Sequence, residues 1–145
     1  MREILFRAKT DGIHSRWVYG FYVREVFSDG VDHILTNGIY DGPRDDSIGE
    51  SYCVLPETIG QYSGMRDNTG NRIFEGDILE ERIRGRSLKD GTPAYRTRKY
   101  IVCCGDWSFY LEAIGAFGNP SRCVSRCKII GNIHDNPELL DKGGT

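Results

Sequence analysis

Apolar residues in this chain fall into short runs that alternate with polar ones, and clusters of Gly, Asn, Asp and Pro separate the runs. That period of two predicts strands joined by turns. The clearest case runs from Ile59 to Leu79, I-G-Q-Y-S-G-M-R-D-N-T-G-N-R-I-F-E-G-D-I-L, where two apolar runs fold back on a polar turn. Within it Asp67 and Asn68 are suited to cap their own backbone and Gly70 to supply a positive φ, which places the loop at Arg66 to Asn71. Ile73, Phe74, Ile78 and Leu79 are the burial candidates, and Glu75-Gly76-Asp77 adds a second irregularity. Two acids flanking one glycine fit acid/base chemistry or a hard metal. They fit a turn closed by backbone N–H bonds better.

On the N-terminal side the pattern predicts strands over Glu3 to Lys9, Trp17 to Val23, His33 to Thr36 and Tyr52 to Leu55. Turns are expected at Ser28-Asp29-Gly30 and Asn37-Gly38, an exposed loop over Asp41 to Glu50, and a bend at Pro56-Glu57-Thr58. In the second strand Val18, Gly20 and Tyr22 share one face, and Trp17, Tyr19, Phe21 and Val23 share the other. Both faces are partly apolar, so Trp17, Tyr19 and Phe21 are candidate interface residues, set against the plainer reading as core.

On the C-terminal side, strands are expected over Glu80 to Arg86, Ala94 to Tyr100 with a strong strand over Tyr100 to Cys104, Trp107 to Ile114 and Val124 to Ile133, with a loop around Asn119-Pro120 and a bulge at Gly131. At least five strands in hairpin order after position 59 predict a small SH3-like β-barrel. Asn136, Pro137 and Glu138 read as the cap and first turn of a short C-terminal helix with Leu139 and Leu140 docking. The chain thus divides into an N-terminal β-rich part (1–58), a barrel part (59–133) and a helix with tail (134–145), a mainly β protein of one compact unit.

Composition changes one part of this picture. Formal charge is only −2 over 145 residues, but residues 1 to 79 carry 8 Lys+Arg against 13 Asp+Glu, and residues 80 to 128 carry 10 against 5. An acidic half and a basic half bear on self-association and on polyanions. The basic half is patterned. Arg82, Arg84 and Arg86 alternate along one predicted strand and Arg96 and Arg98 along the next, beside Lys99. Read as one cationic surface with Tyr95 and Tyr100 near it, this is a candidate phosphate-backbone contact; read plainly, it is a solvated edge that deters edge pairing.

Five cysteines, Cys53, Cys103, Cys104, Cys123 and Cys127, are an odd number, which fits free thiols in a reducing compartment better than a disulfide framework. Cys103 and Cys104 on one strand point to opposite faces, so a zinc site is disfavoured and no cofactor is expected. His14, His33 and His134 are scattered and give no Cys–His dyad in sequence, and His134 beside Asp135 is poorly placed for proton transfer. No apolar run approaches the roughly 18 residues of a membrane span, and a cytoplasmic protein is expected.

The stretch V-L-P-E-T-I-G-Q-Y-S-G-M-R-D-N-T-G-N-R-I-F-E-G-D-I-L at 54 to 79, I-I-G-N-I-H-D-N-P-E-L-L at 129 to 140, and R-E-I-L-F-R-A-K followed by W-V-Y-G near the start resemble the YopX family of phage and prophage proteins. Leu55 stands where the family often has Asp, and the segment from 80 to 100 is longer and more basic than the family leads one to expect. The resemblance implies a β-rich fold and a mobile-element origin, with no established activity. The expectation is a non-enzymatic binding or regulatory module that forms homo-oligomers. A nucleic-acid-binding accessory protein comes next, and an enzyme last.

Overall fold

A computed structural model describes residues 3–24, 32–36, 50–115 and 124–141 of the chain. The chain divides into two units, Met1–Tyr62 and Ser63–Thr145, with the division falling inside a strand. The expected turns at Ser28-Asp29-Gly30 and Asn37-Gly38, the loops over 41–49 and around Asn119-Pro120, Cys123, and the tail from 142 onward lie outside the described residues.

The first unit is an antiparallel sheet in the order β4-β3-β2-β1, built from β1 (Phe6–Lys9), β2 (Trp17–Arg24), β3 (Asp32–Thr36) and β4 (Glu50–Cys53). β1 takes the start of β5 (Gly60–Arg66) on its other edge, through Phe6 opposite Gln61 and Arg7 opposite Gly60. Alternation along β1 and β2 puts Phe6, Ala8, Val18 and Tyr22 on one face. There Ala8, Val18, Ile34 and Val54 are buried, with Phe6, Tyr22, Tyr52 and Ile59 packed around them. Thr58 fastens the bend after β4, since its hydroxyl donates to Leu55 O at 2.7 Å and accepts the Lys9 N–H at 2.8 Å.

The second unit carries an open four-stranded antiparallel sheet in the order β10-β7-β8-β9, from β7 (Asp77–Arg84), β8 (Tyr95–Cys104), β9 (Phe109–Ala113) and β10 (Cys127–Asn132). The end of β5 and β6 (Arg72–Phe74) form the hairpin that precedes it. The buried face carries Leu79, Tyr100, Val102 and Cys127 with Ile73, and Phe109, Leu111 and Ile129 pack against them. Leu79 and Ile78 are wholly buried, and burial of side chains of this size contributes about 1.5–3 kcal/mol each.

Two expectations do not hold. The SH3-like barrel is not closed: β9 and β10 are the two outer strands of an open sheet, β9 pairing β8 and β10 pairing β7. Strand number alone carries no closure, which depends on stagger and tilt that turn chemistry does not encode. Nor is there a C-terminal α-helix among the described residues; Pro137–Leu140 is one 3-10 turn. Asn136 does not cap it. Its side-chain oxygen instead accepts the Asn132 N–H at 3.3 Å, and Asn132 in turn accepts the N–H groups of His134 and Asp135 at 3.0 and 2.9 Å. With those donors committed upstream, four residues are too few for helix propagation to repay nucleation.

Smaller differences have local causes. The strand expected over Val124 to Ile133 starts with a 3-10 turn over Val124–Arg126, and the one expected over Trp107 to Ile114 starts at Phe109 because Gly105 N–H bonds Ser108 O at 2.8 Å and closes a tight turn. The bulge expected at Gly131 is present, where the register between β10 and β7 shifts between Ile129 and Gly131.

Candidate functional site

The hairpin within Ile59 to Leu79 closes as its residue types dictate. Asp67 Oδ1 accepts the N–H and hydroxyl of Thr69 at 2.9 and 2.7 Å and the N–H of Asn71 at 2.9 Å, and Gly70 sits at φ +87°. Asp67 Oδ2 accepts the Ile129 N–H at 3.1 Å, and Asn68 N–H bonds Cys127 O at 2.9 Å, so the loop is tied to β10. Burial pushes the Asp67 carboxyl up, but the bonds from Ile129, Thr69 and Asn71 outweigh it and hold it below the ordinary value. The second turn is also structural in its geometry. Asp77, nearly wholly buried, accepts the Phe74 N–H at 2.8 Å, and Gly76 at φ +88° donates to Val102 O at 2.8 Å.

The N-terminal aromatics lie where alternation places them. Register sets Trp17 opposite Lys9 and Tyr19 opposite Arg7, on the face of β2 away from Val18 and Ala8. The Arg7 guanidinium lies 4.5 Å from the centre of the Trp17 ring and the Lys9 ammonium 5.8 Å from it. Both distances are in the range of cation–π attraction. Tyr19 and Phe21 remain 44% exposed, and β2 is an inner strand between β1 and β3. Tyr19 and Phe21 thus form an exposed aromatic pair on the outward face of an inner strand.

The basic residues are placed differently from the single surface read in the sequence. Register sets Arg82 opposite Thr97, Ile83 opposite Arg96 and Arg84 opposite Tyr95, so Arg82 and Arg84 share a face with Tyr95 and Lys99, whereas Arg96 and Arg98 share the other with Ile83 and Glu81. Sequence spacing within each strand was sound, but cross-strand register decides whether two alternating sets coincide. Arg86 lies beyond the end of β7 and is exposed. The Arg82 guanidinium stacks over the Tyr95 ring at 3.9 Å.

Among the described residues of the second unit, Cys103, Cys104 and Cys127 do not converge. Cys103 is opposite Tyr110 and Cys104 opposite Phe109, on opposite faces of the sheet. Cys127 is buried opposite Glu81, which itself faces Arg98, six residues along β8 from Cys104 and hence about 20 Å away. Burial first, and the nearby Glu112 carboxylate second, push the Cys103 thiol up; burial and the Glu75 and Asp106 charges do the same for Cys104. Thiols shifted that way hold little thiolate near neutrality. A shallow recess on the buried face of the second sheet is lined by Met65, Ile73, Val102, Leu111 and Val124, with Ser63 committed to Ile73 O at 2.7 Å. Its walls offer apolar contact and no carboxylate, imidazole or thiol.

The YopX protein family matches residues 6–141 of the chain. The chain belongs to the YopX family. Among solved structures, the crystal structure of the protein EF1440 from Enterococcus faecalis is similar to this YopX chain at 22% identity, covering 97% of this chain and 100% of that one with a TM-score of 0.53. At that identity the likeness concerns the fold. No curated protein matches the YopX chain. Among its described residues no helix is long and apolar enough to cross a membrane.

Sequence reasoning missed two features of this YopX chain. The bond from Ile129 N–H to Asp67 spans 62 residues, and nothing local in sequence announces a side chain reaching that far. The exposure of Leu88 at the end of the β7–β8 hairpin, 56%, was legible in principle from its place beside the Lys89-Asp90-Gly91 turn.

Proposed function

We propose that the chain is a non-enzymatic binding module that self-associates through the outward face of β2, with Tyr19 and Phe21 at the contact and the cation-stacked Trp17 beside them. The observation that carries this is the 44% exposure of both rings on an inner strand. Aromatic side chains of that kind bury large areas at small entropic cost and dominate interface energetics. The family resemblance supports a mobile-element origin, and the odd count of five cysteines suits the reducing cytoplasm. Size-exclusion chromatography with light scattering tests the reading: wild type runs as an oligomer, and Tyr19→Ser with Phe21→Ser runs as a smaller species of unchanged fold. A wild-type monomer at tens of micromolar removes it.

A second reading, polyanion binding by the β7–β8 hairpin, is favoured by one specific observation. Residues 82 to 98 carry six Lys+Arg and one acid, Asp90. A density of +5 over one hairpin is what phosphate contact requires. Retardation of DNA or RNA in a gel at low salt tests it, and the absence of any shift overturns it.

A further inference from the structure

Among the described residues, the hairpin that carries the charge runs on past the sheet as a two-stranded ribbon. β10 follows β7 only as far as Cys127 opposite Glu81, and β9 follows β8 only as far as Ala113 opposite Tyr100. Beyond those points Arg82 to Arg84 pair with Tyr95 to Thr97 and, among the described residues, with no third strand. The ladder continues through Gly85 N–H to Ala94 O at 2.7 Å, and the tip is closed by Leu88 N–H to Thr92 O at 2.8 Å and by Thr92 N–H to Asp90 Oδ1 at 2.8 Å. The projecting ribbon is therefore ordered before it meets a partner, which lowers the cost of binding.

Its cations point both ways. Arg82 and Arg84 stand on one face, and Arg96 with the half-buried Arg98 on the other. A ribbon lying flat on a phosphate surface uses one face and leaves the second in water. Cations on both faces match a slot with two anionic walls. The major groove of B-form DNA is such a slot, flanked by the phosphates of two strands, about 12 Å wide and 8.5 Å deep, and it admits a two-stranded β-ribbon. The A-form groove of duplex RNA is too narrow for side chains to enter.

We propose that the β7–β8 hairpin inserts into the major groove of duplex DNA, with Arg82 and Arg84 on the phosphates of one strand and Arg96 and Arg98 on those of the other. The ribbon lies along the groove, with Leu88 and the exposed Thr92 at its end. The Arg82–Tyr95 stack holds one guanidinium at the wall without a further ordering cost. This rests on the polyanion reading above and adds the form of nucleic acid and the mode of entry.

The test is fluorescence anisotropy of the full chain with a labelled duplex DNA, the matching single strand and the matching duplex RNA, each over a range of salt. Duplex DNA binds tightest, and Arg82→Ser with Arg84→Ser, and separately Arg96→Ser with Arg98→Ser, each flatten the log–log salt dependence by about 0.9 for every phosphate no longer neutralised. Arg96→Lys with Arg98→Lys keeps the slope, which assigns the loss in the serine variant to charge and not to a disturbed sheet. Equal binding of the three nucleic acids, or a slope that responds to one face alone, overturns groove insertion while leaving polyanion binding in place. Binding to none of the three overturns both.

Discussion

The Asp67 carboxylate accepts the backbone N–H of Ile129 at 3.1 Å, joining the β5–β6 loop to β10 across 62 residues of sequence. Its other oxygen takes three donors from Thr69 and Asn71. One side chain thus shapes its own loop and pins a strand whose ladder partner, among the described residues, is β7 alone.

Asp67→Ala leaves the Ile129 and Asn71 N–H groups without this acceptor, and a loss of about 2–3 kcal/mol in urea unfolding is expected. The pH dependence follows from the direction of the shift. Asp67 is held below its ordinary value in the folded state, so its contribution is present above the unfolded value of about 3.9 and is lost as pH falls through the folded value. Wild type therefore loses stability between about pH 4 and the folded value, and Asp67→Asn removes this group's share of the loss. An acid limb identical in wild type and Asp67→Asn would show the carboxylate to be passive.

Gly131 and Asn136 are fitted to each other. A Cβ at position 131 would lie 2.4 Å from Asn136 Oδ1, the atom that accepts the Asn132 N–H. Gly131→Ala is expected to cost about 1–2 kcal/mol by overpacking the β10 bulge. Adding Asn136→Ala removes the Oδ1 and Cγ contacts and leaves only the Asn136 Cβ at 3.1 Å, so the double variant is more stable than the sum of the two single losses. Strict additivity in chemical denaturation would place the strain elsewhere.

Tyr100 donates its hydroxyl proton to Glu81 Oε2 at 2.9 Å, and both residues are buried. Tyr100→Phe deletes the donor and leaves a buried carboxylate with less hydrogen bonding, at a cost of about 1–3 kcal/mol. Glu81→Gln keeps an acceptor for the hydroxyl and costs less. If Tyr100→Phe and Glu81→Gln unfold at the same denaturant concentration as wild type, the pair contributes nothing to the core.

How much of this was legible in the sequence depends on whether the deciding interaction is local. Asp67 to Asn71, Gly76, Gly131 and the alternation along β2 were readable because turn chemistry and a period of two act over a few residues. Register is not local. Arg82 and Arg96 each sat correctly on a strand, yet nothing in either strand said that they would face opposite ways, since that depends on how many residues the 85–94 connection consumes. The barrel failed for the same reason, as closure is set by pairing between β9 and other strands. The helix at 137–140 failed because Asn136, a good cap by residue type, was claimed by Asn132.

The Cys103 thiol lies 3.6 Å from Glu112 Oε2 on the exposed face of β8 and β9. Burial is the larger cause of its raised value and the Glu112 charge the next, so thiolate forms only above the ordinary range of about 8.5. In a chain with Cys53, Cys104 and Cys123 changed to Ser, and with Cys127 buried, iodoacetamide reports Cys103 alone. Its alkylation rate should stay low at neutral pH and rise only on the alkaline side of a free cysteine's profile. Glu112→Gln removes the negative neighbour and the acceptor together, and the profile should move toward lower pH without reaching that of a free thiol, because burial persists. A profile that does not move on Glu112→Gln would leave burial as the whole cause and make the 3.6 Å approach incidental.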